Sequence, residues 1–178
     1  MKNRNKILNM TCWLFIYFLF FPVQESKAQV IKMSAEDLTK KSTAVLYGKC
    51  SEVKSEWNDK KDLIFTYVTV VPEEYIKGNL GSEAVITIPG GQVDDIRYEV
   101  SEMPLFVEGE EIVAFVWTNP AGKNIITGGY QGKMKIEKDS KTGERMVQEA
   151  GAEVQAPGQV KKMQLEDFVV KLKGWAKN

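Results

Sequence analysis

The chain has 178 residues, with 24 lysines and arginines against 24 aspartates and glutamates, two cysteines and no histidine. A zero net charge without a basic cluster gives no electrostatic reason to hold nucleic acid, whose phosphates demand grouped cations. The missing histidine excludes a Ser-His-Asp triad, a Cys-His nucleophile and the commonest zinc ligand.

Taken in chain order, the first element predicted is an export signal. Lys2, Arg4 and Lys6 precede an apolar run from Ile7 to Val23, and Ser26-Lys27-Ala28 supplies the small residues that a signal peptidase accepts. Cleavage is expected after Ala28, so residues 1–28 are assigned as signal peptide. The mature chain is expected outside the cytoplasm, periplasmic or extracellular, and free of the membrane. Residues 29–178 carry 20 basic and 23 acidic side chains and are long enough for one domain. Only Cys50 survives cleavage. It cannot form an internal disulfide, and its alternating apolar surroundings predict a buried thiol.

Ser34 followed by Asp37 predicts a short capped helix ending near Lys41. Thr43 to Val53 reads as a strand with two apolar faces, as a central barrel strand would have. Residues 55–62 are polar apart from Trp57 and read as a hairpin loop. Leu63 to Tyr75 is a second strand, with Pro72 marking a bulge or edge, followed by a turn at Lys77-Gly78-Asn79. Val85 to Ile88 is a third strand, closed by Pro89-Gly90-Gly91. Residues 96–100 alternate well enough for a short strand, and Glu108-Gly109-Glu110 is a turn. Glu111 to Trp117 is a strand apolar on both faces, with Trp117 expected in the core. A turn at 119–122 leads to strands at 124–127 and 132–138, then to a hairpin turn at 141–143. Residues 29–150 are therefore expected to form the barrel domain and 151–163 a loop. Leu165, Phe168, Val169, Leu172 and Trp175 recur on one face of a C-terminal amphipathic helix, within 164–178, packed on the barrel.

The fold class expected is mainly β: a small OB-like barrel with a short N-terminal helix and a C-terminal helix. Ala44–Lys49, Trp57, Tyr67–Gly78, Thr87–Gly91, Pro104–Phe115 and Tyr130–Ile136 resemble segments shared by a group of uncharacterised exported bacterial β-barrel proteins. That resemblance implies export and a fold, and no activity. The opening strand Ala44–Cys50, the strand ending in Lys77-Gly78, and Gly109 before an apolar strand are similar to the netrin-like, OB-type domain of tissue inhibitors of metalloproteinases. In that family an N-terminal cysteine chelates the target's zinc. The matching position here is Gln29, so the resemblance implies the fold and not that mechanism.

No catalytic residues, metal site or cofactor are assigned. Adjacent acids such as Glu73-Glu74 and Glu110-Glu111 point to opposite faces of a strand and do not converge. Asn58, Asp59 and Asp62 lack the spacing of a calcium loop, and the paired glycines at 90–91 and 128–129 lack a phosphate-loop pattern. Trp57, Tyr98 and Tyr130 are the candidate ligand-binding residues, because OB-type barrels often stack ligands on aromatics at one rim. The leading expectation is a non-enzymatic binding or interaction module for an unknown protein or small-molecule ligand. The alternatives are a peptidase-inhibitor-like protein and a carboxylate-based hydrolase, the last requiring two acids from different strands in one cleft.

Overall fold

The computed structural model describes residues 31–148 and 162–177. The export signal and most of the loop expected at 151–163 lie outside the described residues. Helix α1 (Ala35–Lys41) starts where the sequence places it. Asp37 N–H donates to the Ser34 hydroxyl, and the Asp37 carboxylate accepts from Ser34 N–H in return. Hydrogen bonding to Ser34 holds the Asp37 carboxyl below its usual range.

Strands β1 (Ala44–Trp57), β2 (Ile64–Lys77) and β3 (Ala84–Pro89) form an antiparallel meander. A short hairpin follows, β4 (Gly91–Val93) with β5 (Ile96–Tyr98), paired only with each other. β6 (Glu111–Thr118) then returns to pair with the other edge of β1, Ala44 opposite Val116 and Lys49 opposite Glu111. β7 (Asn124–Ile126), a single 3-10 turn (Gly129–Gly132), β8 (Lys133–Lys138), β9 (Arg145–Gln148) and β10 (Lys162–Gln164) complete the strands. Helix α2 (Leu165–Ala176) ends the described chain. The main sheet runs β10-β9-β8-β6-β1-β2-β3, with β7 also on β6. The bulge expected at Pro72 is present: the register steps from Tyr47 opposite Glu74 to Gly48 opposite Pro72.

The alternation in β1 and β6 divides the interior in two. Val45, Tyr47, Val113 and Phe115 face a cluster roofed by both helices, to which α2 contributes Leu165, Phe168, Val169 and Leu172. Ala44, Leu46, Cys50, Ile112, Ala114 and Val116 face a second cluster enclosed by the curled sheet, with Val68, Ile86 and Ile126. Both strands are therefore apolar on both faces, because each face meets a different layer. Cys50 is fully buried, and burial pushes its thiol up to about 12.

Four sequence expectations need correction. The sheet is not closed into a barrel. β3 and β7 approach each other, but no backbone ladder joins them, and the bond across this gap runs from the Asn124 side-chain amide to the Val85 carbonyl, 3.1 Å. Trp57 does not lie in a loop; it is the last residue of β1, partly buried and opposite Ile64. The turn starts one residue later, because the Asn58 side-chain oxygen accepts from Asp62 N–H at 3.0 Å and Leu63 N–H at 3.2 Å. Trp117 is not core. It continues the face of Val113 and Phe115 one step past the helix-roofed cluster and is 40% exposed. Residues 162 and 163 are not loop and Gln164 is not helix: the three form a strand on β9, Met163 opposite Val147.

Candidate functional site

The larger concavity opens at the far end of the meander. There β1 and β2 extend past the reach of β6, with β3 still paired to β2 from Phe65 to Val70, and the chain between β3 and β6 folds back over them. The resulting groove, about 680 Å³, has Val53 and Ile88 on its floor and Tyr98, Met103, Leu105 and Phe106 on its other wall. Ser55, Thr66, Gln92, Arg97, Glu99 and Ser101 add the polar groups. Met103 and Phe106 also pack against the enclosed cluster, so this wall is continuous with the core. Val100, Leu105 and Val107 stay exposed along the rim, Leu105 at 80%. A small number of polar groups on an apolar lining is the usual make-up of a small-molecule site.

The hairpin wall can lie this close because Gly91 has no side chain. A Cβ there would run into the hydroxyl oxygens of Thr66 and Ser55, which bond each other at 2.9 Å. Its φ of 135° is also one that glycine accepts readily. The second wall, residues 99–110, has little regular structure and is tied down by side chains. The Lys133 ammonium reaches the Leu105 carbonyl at 2.5 Å and the Glu110 carboxylate at 2.6 Å, and lies 4.7 Å from the centre of the Phe106 ring. The same Glu110 carboxylate accepts from Val107 N–H, 2.8 Å. Glu108 accepts from Val53 N–H at 3.2 Å, and Gly109 N–H donates to the Cys50 carbonyl at 2.8 Å. At its start, the Glu102 carbonyl accepts from Tyr130 N–H, 2.8 Å.

Of the three aromatics singled out from sequence, Tyr98 lines the groove. Trp57 stands on the face of Val53 and Ser55 by strand alternation, beyond the lining residues. Tyr130 lies on the 3-10 turn and holds the wall through its backbone. The structure brings the three to one end of no single pocket. Met103 and Phe106 were missed in sequence; their only signal was an apolar residue on either side of Pro104 in a segment without periodicity.

A smaller concavity, about 430 Å³, lies over Gly48 and the Pro72 bulge. Glu73 of β2 and Glu111 of β6 both line it, so two acids from different strands do share a cleft. Arg145 occupies the space between them, 2.7 Å from Glu73 and 4.0 Å from Glu111, and a third carboxylate, Glu166, lies 3.7 Å away. Tyr47 packs under the guanidinium, 5.7 Å from ring centre to carbon, and its hydroxyl donates to Glu74 at 3.3 Å. Burial and the neighbouring Glu73 and Glu74 push the Tyr47 phenol above its usual range.

No helix among the described residues is long and apolar enough to cross a membrane. No protein-family model matches the sequence, and comparison with curated proteins finds no match.

Proposed function

We propose that this protein is an exported, OB-like, non-enzymatic binding module that takes a predominantly apolar ligand in the groove between the end of the β1–β2–β3 meander and residues 98–106. The observation that carries the reading is the groove itself: apolar floor and wall, a rim of exposed apolar side chains, and a wall anchored by Lys133 and Glu110. An unpartnered apolar rim of this kind marks an interaction site more often than it serves folding. The OB-like assignment is supported by the strand order, a three-stranded meander whose first strand also pairs with β6, while β7 lies alongside β3.

A carboxylate hydrolase is the second reading, motivated by Glu73 and Glu111 in the smaller cleft. The Arg145 guanidinium, paired with both, argues for a structural ion cluster, since the carboxyls of a glycosidase face the substrate instead of a cation.

The test is binding of an environment-sensitive apolar dye to the purified protein, followed by an apolar fragment library in heteronuclear NMR. Shifts should concentrate at Tyr98, Val100 and Leu105. Tyr98→Ala and Leu105→Ser, both at exposed positions, should weaken binding about fivefold or more. Shifts that gather around Arg145 instead, or binding indifferent to both substitutions, would remove the groove as the site.

A further inference from the structure

Among the unpaired strand edges of the described residues, that of β5 stands out by its side-chain order. β5 pairs with β4 (Gly91 opposite Tyr98, Gln92 opposite Arg97, Val93 opposite Ile96), and among the described residues no strand pairs with its other side. Val93 and Ile96 flank a two-residue turn, so Ile96 and Tyr98 direct their N–H and C=O groups toward β4. The pleat then turns the backbone groups of Arg97 outward, and an extended continuation past Tyr98 would turn those of Glu99 the same way. The side chains split in the other sense. Ile96 and Tyr98 lie on one face of β5, 52% and 46% exposed, and Val100, two residues further on, is 37% exposed. Arg97 lies on the opposite face and pairs at 2.8 Å with Glu99, the residue that follows β5, mostly in solvent.

The order over 96–100 is apolar, basic, aromatic, acidic, apolar, and it is its own complement when reversed. A second copy running antiparallel about Tyr98 sets Arg97 opposite the second copy's Glu99, twice. It also sets Ile96 opposite Val100, twice, and Tyr98 opposite itself. This register makes Arg97 and Glu99 the hydrogen-bonded pair, which uses the backbone groups that face outward. Opposite charges and apolar pairs directly across a ladder are both favourable, and a twofold contact needs this self-complementarity.

We infer that β5 and the two residues after it, 96–100, form a homodimer interface, joined by antiparallel strand pairing about Tyr98. Its occupant is a second copy of this chain, chosen by the reversed charge order. Tyr98 and Val100 also line the groove, so pairing brings the grooves of two copies to a common rim. The inference stands apart from the groove reading, because it concerns a strand edge and is read without ligand.

Five residues of strand edge bury less than the roughly 1,200–2,000 Å² of a stable interface, so the dimer should form only as concentration rises. Sedimentation velocity of the purified protein from about 1 to 300 µM should show a monomer giving way to a dimer. Arg97→Glu and Glu99→Arg, both at exposed positions, should each weaken association about tenfold or more by setting like charges opposite. The double variant R97E/E99R should dimerise again, and mixing the two single variants should give a heterodimer. A monomer at every concentration would overturn the inference. So would a dimer indifferent to the single substitutions, or one that the double swap fails to restore.

Discussion

The ammonium of Lys133 lies 2.6 Å from a carboxylate oxygen of Glu110, with both side chains largely shielded from water. The two residues belong to β8 and to the loop before β6, and the pair fixes the wall of the groove to the sheet. Removing one partner leaves the other charge without its counterion. Lys133→Met or Glu110→Gln should each cost about 2–4 kcal/mol in urea unfolding, and the double variant should recover part of that loss. Each single variant should also speed amide exchange at Leu105 to Val107, because Leu105 C=O and Val107 N–H are bonded to these side chains. Unchanged exchange there would mean the wall holds itself.

Cys50 gives a pH-dependence of known sign. Its thiol is pushed up from an ordinary 9.0 to about 12, chiefly by burial, then by Glu110, with Lys133 opposing. The unfolded thiol loses its proton near pH 9 while the folded one keeps it. The unfolded state thus binds fewer protons in this window, and stability falls as pH rises from about 9 toward about 12. The slope is at most about 1.4 kcal/mol per pH unit. Below pH 9 the contribution is fully present. Comparing urea midpoints with Cys50→Ala from pH 8 to 10.5 isolates it: the native chain should lose stability faster. At pH 8 a disulfide reagent should label Cys50 only after denaturant is added.

Gly48 sits where β1 crosses the Pro72 bulge, and a Cβ there would run into the Val71 carbonyl oxygen and lie 2.7 Å from the Pro72 α-carbon. Both obstacles are backbone, which cannot step aside as a side chain does. Gly48→Ala should therefore cost about 3 kcal/mol or more. Gly143→Ala offers a contrast: its neighbourhood is open, so only its φ of 73° opposes the change, and the loss should be about 1–2 kcal/mol. Equal losses at the two positions would show that β1 and β2 separate easily at the bulge.

Arg145 ties β9 to β2, β6 and α2 through Glu73, Glu111 and Glu166. Hydrogen bonding to Glu73 leads the causes that raise its pKa, so it stays charged at any pH the protein tolerates. Arg145→Met should cost about 1 kcal/mol at low salt, and the difference should shrink at high salt. A loss independent of salt would mean that the guanidinium acts mainly by packing on Tyr47.

The parts of this fold legible in sequence are those decided by neighbours in the chain. The Ser34–Asp37 cap spans four residues, the stripe of α2 spans three turns, and the double-faced apolar pattern of β1 and β6 needs only alternation. Pro72 announced its bulge because proline lacks a ladder donor. What escaped is decided by distant partners. Residues 55–57 read as loop because they are mostly polar, yet β1 continues to Trp57 because β2 pairs with it there, Ser55 opposite Thr66 and Trp57 opposite Ile64. Residues 99–110 have no period, and their course depends on Lys133, Val53 and Cys50, all remote in sequence. The meeting of Glu73 with Glu111 was invisible for the same reason: strands β2 and β6 are each adjacent to β1, not to each other.

Because β1 has a different layer on each face, its pairing has a consequence for the order of events during synthesis. The hairpin with β2 is local and can form as soon as both strands are made. The other edge must wait for β6, since Thr43 and the Val116 it bonds are 73 residues apart. For that interval the young chain carries an open strand edge and apolar side chains on both sides of it, Leu46 and Cys50 on one and Val45 and Tyr47 on the other. Such a half-made ribbon is sticky, and holding it apart from its neighbours is the task this design leaves to the cell.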